Sequence, residues 1–424
     1  MTIFTRTWLV VASVSLLAGW CSAQPAPYFD GVAPGWGAGP VQRPYVPAYV
    51  QTQLIPDSRR STYDLDSVYN LNLHDLVDDS WIKFEYVFAN FEKPGETLLG
   101  APMGSVPDPR LPFEILTPNL TGALARVADA SAFDLSAQNG YRTSFGLTTF
   151  RGFDLEGSYI GMQDMTSFFS VGDLPGDPLT FPGQTEFYAT SLLDDGSPGS
   201  RVILYDHSFD ASLHAQSWSA DLNIVLDSLS PDNGLQFKPL FGVRYHSYDE
   251  SLTQHGRFDN SSGLDPLQGV RATPIENEIL SSTSNRMVLG QLGFKAELVD
   301  KWFTIGVAPK IGLGSNTIDA LVRTEDLRDS FIDPIQDDGV TLNSTSNVIF
   351  GSLFDANAYF SVRINSWLSV TGSGYFWFMP NVARADQTIV YDDLGVDLPS
   401  NMNPRMKTRS MTVQGFTVGA QITF

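Results

Sequence analysis

The last fourteen residues, Met411 to Phe424, constrain the fold most; they read M-T-V-Q-G-F-T-V-G-A-Q-I-T-F. Phe416, Val418, Ala420, Ile422 and Phe424 share one parity, and Gly415, Thr417, Gly419, Gln421 and Thr423 share the other. In an extended strand this spacing sends the two sets to opposite faces. One face is apolar enough for lipid, and the other is small and polar. Such a strand, ending on an aromatic residue, has the form of the closing strand of an outer-membrane β-barrel. Phe424 resembles the signal read by the outer-membrane assembly machinery. A soluble β-sandwich can end on such a strand too, so the rest of the chain must decide.

The other end of the chain reads as an export signal. In residues 1–23, Arg6 is the only charge, and Trp8 to Gly19 form an apolar run too short to span a bilayer. Cys21-Ser22-Ala23 supplies a small-residue cleavage pattern, making Gln24 the expected mature N-terminus. Cys21 also suggests a lipoprotein, against which Trp20 argues. Because Cys21 is the only cysteine, the mature chain would have no disulfide or thiol chemistry. Residues 24–79 begin with a stretch rich in Pro, Gly, Ala and Tyr that cannot build a core, and are expected to form a periplasmic arm. Residues 80–424 are expected to form the barrel.

No stretch beyond the signal is long and apolar enough for a membrane helix, and the mean hydropathy is only −0.07. Alternating strands spanning a membrane would show that average, because half of each strand is polar. Ten strands can be read: Trp81–Asn90, Tyr141–Phe150, Gly152–Met162, Phe209–Leu226, Leu235–Tyr248, Thr283–Val299, Trp302–Gly314, Thr345–Ile364, Trp367–Met379 and the closing strand. Their connections alternate strictly. Long ones span 91–140, 163–208, 249–282, 315–344 and 380–410; short ones span 151, 227–234, 300–301 and 365–366. Outer-membrane barrels pair short periplasmic turns with long external loops, and an even strand count puts both termini in the periplasm. The expected fold is all-β: a transmembrane, antiparallel up-and-down barrel of about 10 strands with long external loops. Met165–Val171 and Arg201–Tyr205 leave a 12-stranded variant open.

The formal charge is −21, or −22 without Arg6, which excludes nucleic acid as a partner. The five long connections carry 30 acidic and 12 basic residues, so the acidity lies on the presumed outer face. Solvation of the loops explains this simply. A sharper reading is divalent-cation bridging to lipopolysaccharide, with Asp194-Asp195-Gly196, Asp337-Asp338-Gly339 and Asp392-Asp393 as candidate contacts, or repulsion of anions from a pore mouth. None has the ligand spacing of an EF-hand. The expected surroundings are outer-membrane lipid and lipopolysaccharide.

By parity the lumen takes Lys83, Glu85, Arg142, Asp154, Glu156, Asp221, Lys238, Arg244, His246, Lys295, Glu297, Lys310, Asp355 and Arg363. Both signs are in near balance. A ten-stranded barrel is only slightly wider than one that side chains fill, so these charges either pair across the lumen and close it or line a narrow water path. No nucleophile elbow, phosphate loop, dinucleotide fingerprint or zinc spacing occurs, and neither an enzyme nor a cofactor is expected. One alternative places His246, with Asp249 and Glu250, at the outer rim as a water-activating group; Asp206-His207 precedes the fourth strand.

Several stretches resemble a known family. They are Gly152–Gly161 (GFDLEGSYIG), Leu213–Ile224 (LHAQSWSADLNI), Phe241–Ser251 (FGVRYHSYDES), Gln291–Leu298 (QLGFKAEL), Trp302–Gly314 (WFTIGVAPKIGLG) and the YFWFMPNVARADQTI run within Leu368–Ile389. Across Trp81 to Phe424 the chain resembles the β-barrel porins abundant in planctomycete-type bacteria. The resemblance implies an outer-membrane barrel and a pore, but no particular solute and no catalytic motif. The expected function is a porin or small-solute channel. The alternative is a non-conducting surface barrel whose acidic loops mediate adhesion, envelope packing or cation binding.

Overall fold

The computed structural model describes residues 80–114, 124–148, 152–171, 186–194, 197–205, 207–229, 234–258, 275–327, 340–393 and 402–424. The expected signal and arm lie outside the described residues, as do Asp195-Gly196 and Asp337-Asp338-Gly339.

Ten strands form the barrel: β1 (Trp81–Phe91), β2 (Gln138–Thr148), β3 (Phe153–Met162), β4 (Ser208–Leu226), β5 (Leu235–Phe258), β6 (Ile275–Val299), β7 (Phe303–Val307, resuming as Lys310–Glu325), β8 (Val340–Arg363), β9 (Leu368–Ala383) and β10 (Thr408–Thr423). Each pairs antiparallel with its neighbours in sequence. β1 pairs with β10 from Trp81↔Thr423 to Phe91↔Val413, which closes the ring. Closure removes the exposed edge that an open sheet would carry into lipid. β7 breaks at Ala308-Pro309, where proline has no N–H for the ladder.

The ten-stranded reading holds and the twelve-stranded variant does not. Met165–Val171 is a strand, but it follows β3 and pairs with the outer half of β4. Ser197–Tyr205 pairs with Glu186–Asp194 in a separate small sheet, which Leu124–Val127, Phe113–Glu114 and Asp392–Asp393 join. These segments pair above the ring instead of widening it.

Alternation explains the membrane band. On β6 the outward side chains from Leu298 to Val288 are apolar, and Leu292 and Val288 are well exposed. That run covers about 33 Å of strand, which a tilt near 40° reduces to about 25 Å, the height of a barrel's apolar band. Large rings on one strand settle over glycines directly opposite them. A Cβ on Gly146 would meet the Trp81 ring, and one on Gly157 would meet the Phe145 ring. At the short-turn end, Gly152 and Gly234 adopt positive φ (80° and 91°), which glycine tolerates without strain.

The strands run past the band, and there the code inverts. β5, β6 and β8 are 24, 25 and 24 residues long, more than twice the 9–11 that a tilted strand needs to cross a bilayer. On β6 the outward face turns polar at Arg286, which pairs with Asp319 of β7 at 3.2 Å. The inward face turns apolar at Leu289 and Met287, and Ile279 is buried further along. The outer part of the barrel is therefore built like a soluble protein, with water outside and a hydrophobic core inside. This corrects the shorter strands read for β5 to β9, because the membrane pattern stops where the strands do not.

Candidate functional site

The fourteen expected lumen residues all come from inward positions, and the lumen divides by height. Its half at the short-turn end, periplasmic in the barrel convention, is a vestibule of about 500 Å³. Eleven of the fourteen line it: Lys83, Glu85, Arg142, Asp154, Glu156, Asp221, Lys238, Lys295, Glu297, Lys310 and Arg363. Lys295 donates to Glu156 at 2.5 Å. Lys238 lies 3.2 Å from Glu297, which also accepts from the Tyr359 hydroxyl at 2.6 Å. Lys83 and Arg142 both approach Glu85, at 3.4 and 3.8 Å. Arg363 donates to the Lys301 carbonyl at 3.5 Å near the mouth.

The vestibule ends at a buried layer of charge. Arg244 and Asp221 face each other across β4 and β5, and Lys310 and Asp355 face each other across β7 and β8. Arg244 donates to Asp221 at 2.8 Å and to Asp355 at 2.6 Å; Lys310 donates to Asp221 at 3.1 Å and lies 3.4 Å from Asp355. Gly293 on the intervening β6 leaves the space that the Lys310 stem occupies. None of these four side chains is more than 10% exposed. Two cations on two anions make a neutral lattice, which offsets the cost of taking each charge out of water.

Above this layer the lumen is filled. His246 is fully buried and edge-on to Trp377 at 5.7 Å, and Arg244 lies over the same indole at 5.9 Å. Next come Met287, Leu289, Leu353, Met379, Met411 and Val413, all buried. Phe91 of β1 stacks on Tyr248 of β5 at 6.2 Å, so rings from well-separated walls meet across the axis. Of the two arrangements the sequence allowed, charges paired across the lumen or a narrow water path, the geometry is the first. His246 sits mid-lumen rather than at the rim, because β5 continues ten residues past Tyr248 to Phe258. A buried imidazole with Glu250 engaged elsewhere has no access to an external peptide, so the rim-catalysis alternative loses its geometry.

The outer closure comes from the first part of the chain's last long connection, whose described residues 384–393 fold inward. After β9 a single helical turn, α1 (Ala385–Thr388), lies against the inner faces of β5 and β6. Ser281 donates to the Ala385 carbonyl at 2.9 Å, and Asn285 binds both the carbonyl and the amide of Ala383 at 2.8 Å. Arg384 donates to Glu250 at 2.7 and 3.3 Å and to the Glu92 carbonyl at 2.8 Å. This pair is 1% and 0% exposed. Burial, and then the neighbouring Glu250 carboxylate, push Asp386 up to about 6. Sequence reasoning missed Glu250 as a structural partner, and Arg384 and Asp386 altogether. Their one signal was an arginine set among Val382, Ala383 and Ala385, an apolar context unlike a solvated loop. Pairing also places Asp392-Asp393 beside Leu193-Asp194, but among the described residues no group of three or more potential ligands is arranged to hold a metal ion.

No curated protein matches the chain. Similar solved structures include the outer membrane protease OmpT from Escherichia coli (10% identity, 82% of this chain and 97% of that one, TM-score 0.41). Others are a Pseudomonas aeruginosa FadL homologue (9% identity, 81% and 90%, TM-score 0.25) and the P. putida toluene transporter TodX (9% identity, 81% and 89%, TM-score 0.27). The family described as "Putative beta barrel porin-7" (BBP7) matches residues 121–424. With that match across most of the chain and a closed ring of ten antiparallel strands, the protein is an outer-membrane β-barrel and belongs to this β-barrel porin family.

Proposed function

We propose that this barrel is a small-solute channel held shut by its own last external connection. The observation that carries the reading is the contrast between the two halves of the lumen. The periplasmic half is an unfilled, charge-lined vestibule, whereas the outer half is filled by inward wall side chains and capped by a separate piece of chain that packs on them and is fastened by Arg384–Glu250 and by Ser281 and Asn285. A barrel needing only internal packing has no use for the first, and a plug made of a loop can be displaced where fused walls cannot. Passage would run from the outer mouth past α1, between the Met287, Leu289 and Met411 side chains and through the Arg244 layer, all of which move aside, into the vestibule, with selection by size and by the inward charges. Cleavage of residues 1–23, recognition of Phe424 by the assembly machinery and contact of the acidic loops with lipopolysaccharide belong to the same proposal.

The test is swelling of vesicles carrying the refolded full chain in iso-osmotic small sugars and amino acids. The reading requires slow swelling with wild type and faster swelling when α1 is released. A second reading, a non-conducting surface barrel acting through its acidic loops in adhesion or cation binding, is favoured by the soluble-type core of the outer half. It would be supported by folded protein that never admits solute, with or without α1.

A further inference from the structure

At the inner end of the vestibule one group of side chains, Lys83, Arg142 and Glu85, carries one cation more than it has carboxylates, while Asp154 lies with Lys238 and Lys295 elsewhere on the wall. Lys295 is matched by Glu156, Lys238 by Glu297, and Arg244 with Lys310 by Asp221 with Asp355. Lys83 and Arg142 share the single carboxylate of Glu85. They share even one atom of it: Lys83 Nζ is 3.4 Å and Arg142 Nε 3.8 Å from Glu85 Oε2, while Oε1 takes the Thr417 hydroxyl at 2.9 Å. A separation of 3.8 Å is beyond hydrogen-bond range, and among the described residues the Arg142 guanidinium has no shorter polar contact. Glu85 Oε2 likewise has no hydrogen-bond partner. Both cationic side chains are only 17% exposed, yet they face a cavity of about 500 Å³. That size suits a small-molecule pocket. Trp81 and Leu240 add apolar surface to its wall.

We propose that the Lys83–Arg142 end of the vestibule is a binding site for a small organic carboxylate. The planar guanidinium offers a two-pronged donor matched to a carboxylate, and the lysine adds a point charge. The one positive charge in excess within the Lys83–Arg142–Glu85 group is neutralised by one monoanion. A dianion such as phosphate would leave the site net negative against Glu85 and Asp221, so it binds more weakly. This deepens the channel reading by naming the solute class, and it rests on that reading only for how solute arrives.

Binding is measured by calorimetry on the refolded full chain in detergent, with sodium butyrate, sodium phosphate and sodium chloride at constant ionic strength. The expected result is saturable one-to-one binding of butyrate, weaker binding of phosphate, and no saturation with chloride. Arg142→Gln weakens butyrate at least tenfold, and Arg142→Lys recovers part of the loss. Arg286→Gln, a change on the outer surface, has no effect. Should Arg142→Gln fail to refold, Lys83→Gln carries the same expectation. Absence of saturable butyrate binding, equal affinity in the vestibule variants, or tighter binding of phosphate overturns the proposal. Because the measurement needs no transport, binding without vesicle swelling would sink the channel alone, and swelling without binding would sink the carboxylate site alone.

Discussion

Arg384→Ala removes the guanidinium that fastens the last external connection across the outer lumen. The substitution deletes bonds of 2.7 and 3.3 Å to Glu250 and one of 2.8 Å to the Glu92 carbonyl. Stranding one member of a buried ion pair costs about 3–5 kcal/mol. Glu250 would keep the Ala385 amide at 3.0 Å and the Tyr248 hydroxyl at 3.2 Å. Those donors stabilise part of its charge, so the lower end, about 3 kcal/mol, is expected. Glu250→Gln strands the arginine instead, at a similar cost. The double variant removes both members of the pair, and with them the 3.9 Å approach of Arg384 to Asp386, so it should lose about 3 kcal/mol rather than 6, a coupling of about 3 kcal/mol. The assay is a double-mutant cycle from equilibrium urea unfolding of the full chain in lipid vesicles, repeated at high salt. A buried pair keeps its coupling there, while an exposed one is screened. Losses that simply add, or a coupling that vanishes in salt, would refute the claim that this pair holds the closure.

Asp386 gives the same turn a pH dependence. Its folded carboxyl sits at about 6, above the unfolded value near 3.9, so the folded turn holds its proton more tightly. That contribution is fully present below about pH 4 and is lost as pH rises through about 6. Stability should therefore be greater at pH 4 than at pH 7 by up to about 3 kcal/mol, as read by the difference between wild type and Asp386→Asn; parallel pH curves for the two would contradict it. Cysteine substitution maps the closure, because Cys21 is the only native cysteine. Ser361→Cys in the vestibule should react with an impermeant thiol reagent from the short-turn side, and the fully buried Ser217→Cys from neither side. Leu292→Arg, at the middle of the outward apolar run of β6, should cost about 2–4 kcal/mol in a refolding titration into lipid; a change under 1 kcal/mol would place that face outside the membrane.

The ring was readable because each membrane strand states its own rule. Phe416, Val418 and Ile422 alternate with Thr417, Gly419 and Gln421, and lipid on one side with charge on the other fixes which is which. The same parity found Arg244 and Asp355, whose partnership is a matter of spatial register no single strand contains. The upper lumen was hidden for a physical reason. Beyond Val288 both faces of β6 keep their period of two while exchanging their chemistry, so Met287 and Leu289 look like an interruption rather than an inward core. The plug was hidden by its topology. Arg384 meets Glu250 134 residues away, and nothing local to Ala383-Arg384-Ala385 announces that the chain turns into the barrel there.

The central claim, that a displaceable loop closes this pore, is tested most directly by single-channel conductance in planar bilayers. Wild type is compared with a variant whose residues 384–390 are replaced by a Gly-Ser linker of equal length. The account predicts a folded wild type that is silent or opens rarely, and a folded variant with discrete steps of reproducible size. A folded variant as silent as wild type would contradict it, and the barrel's function would then have to lie on its outer surface.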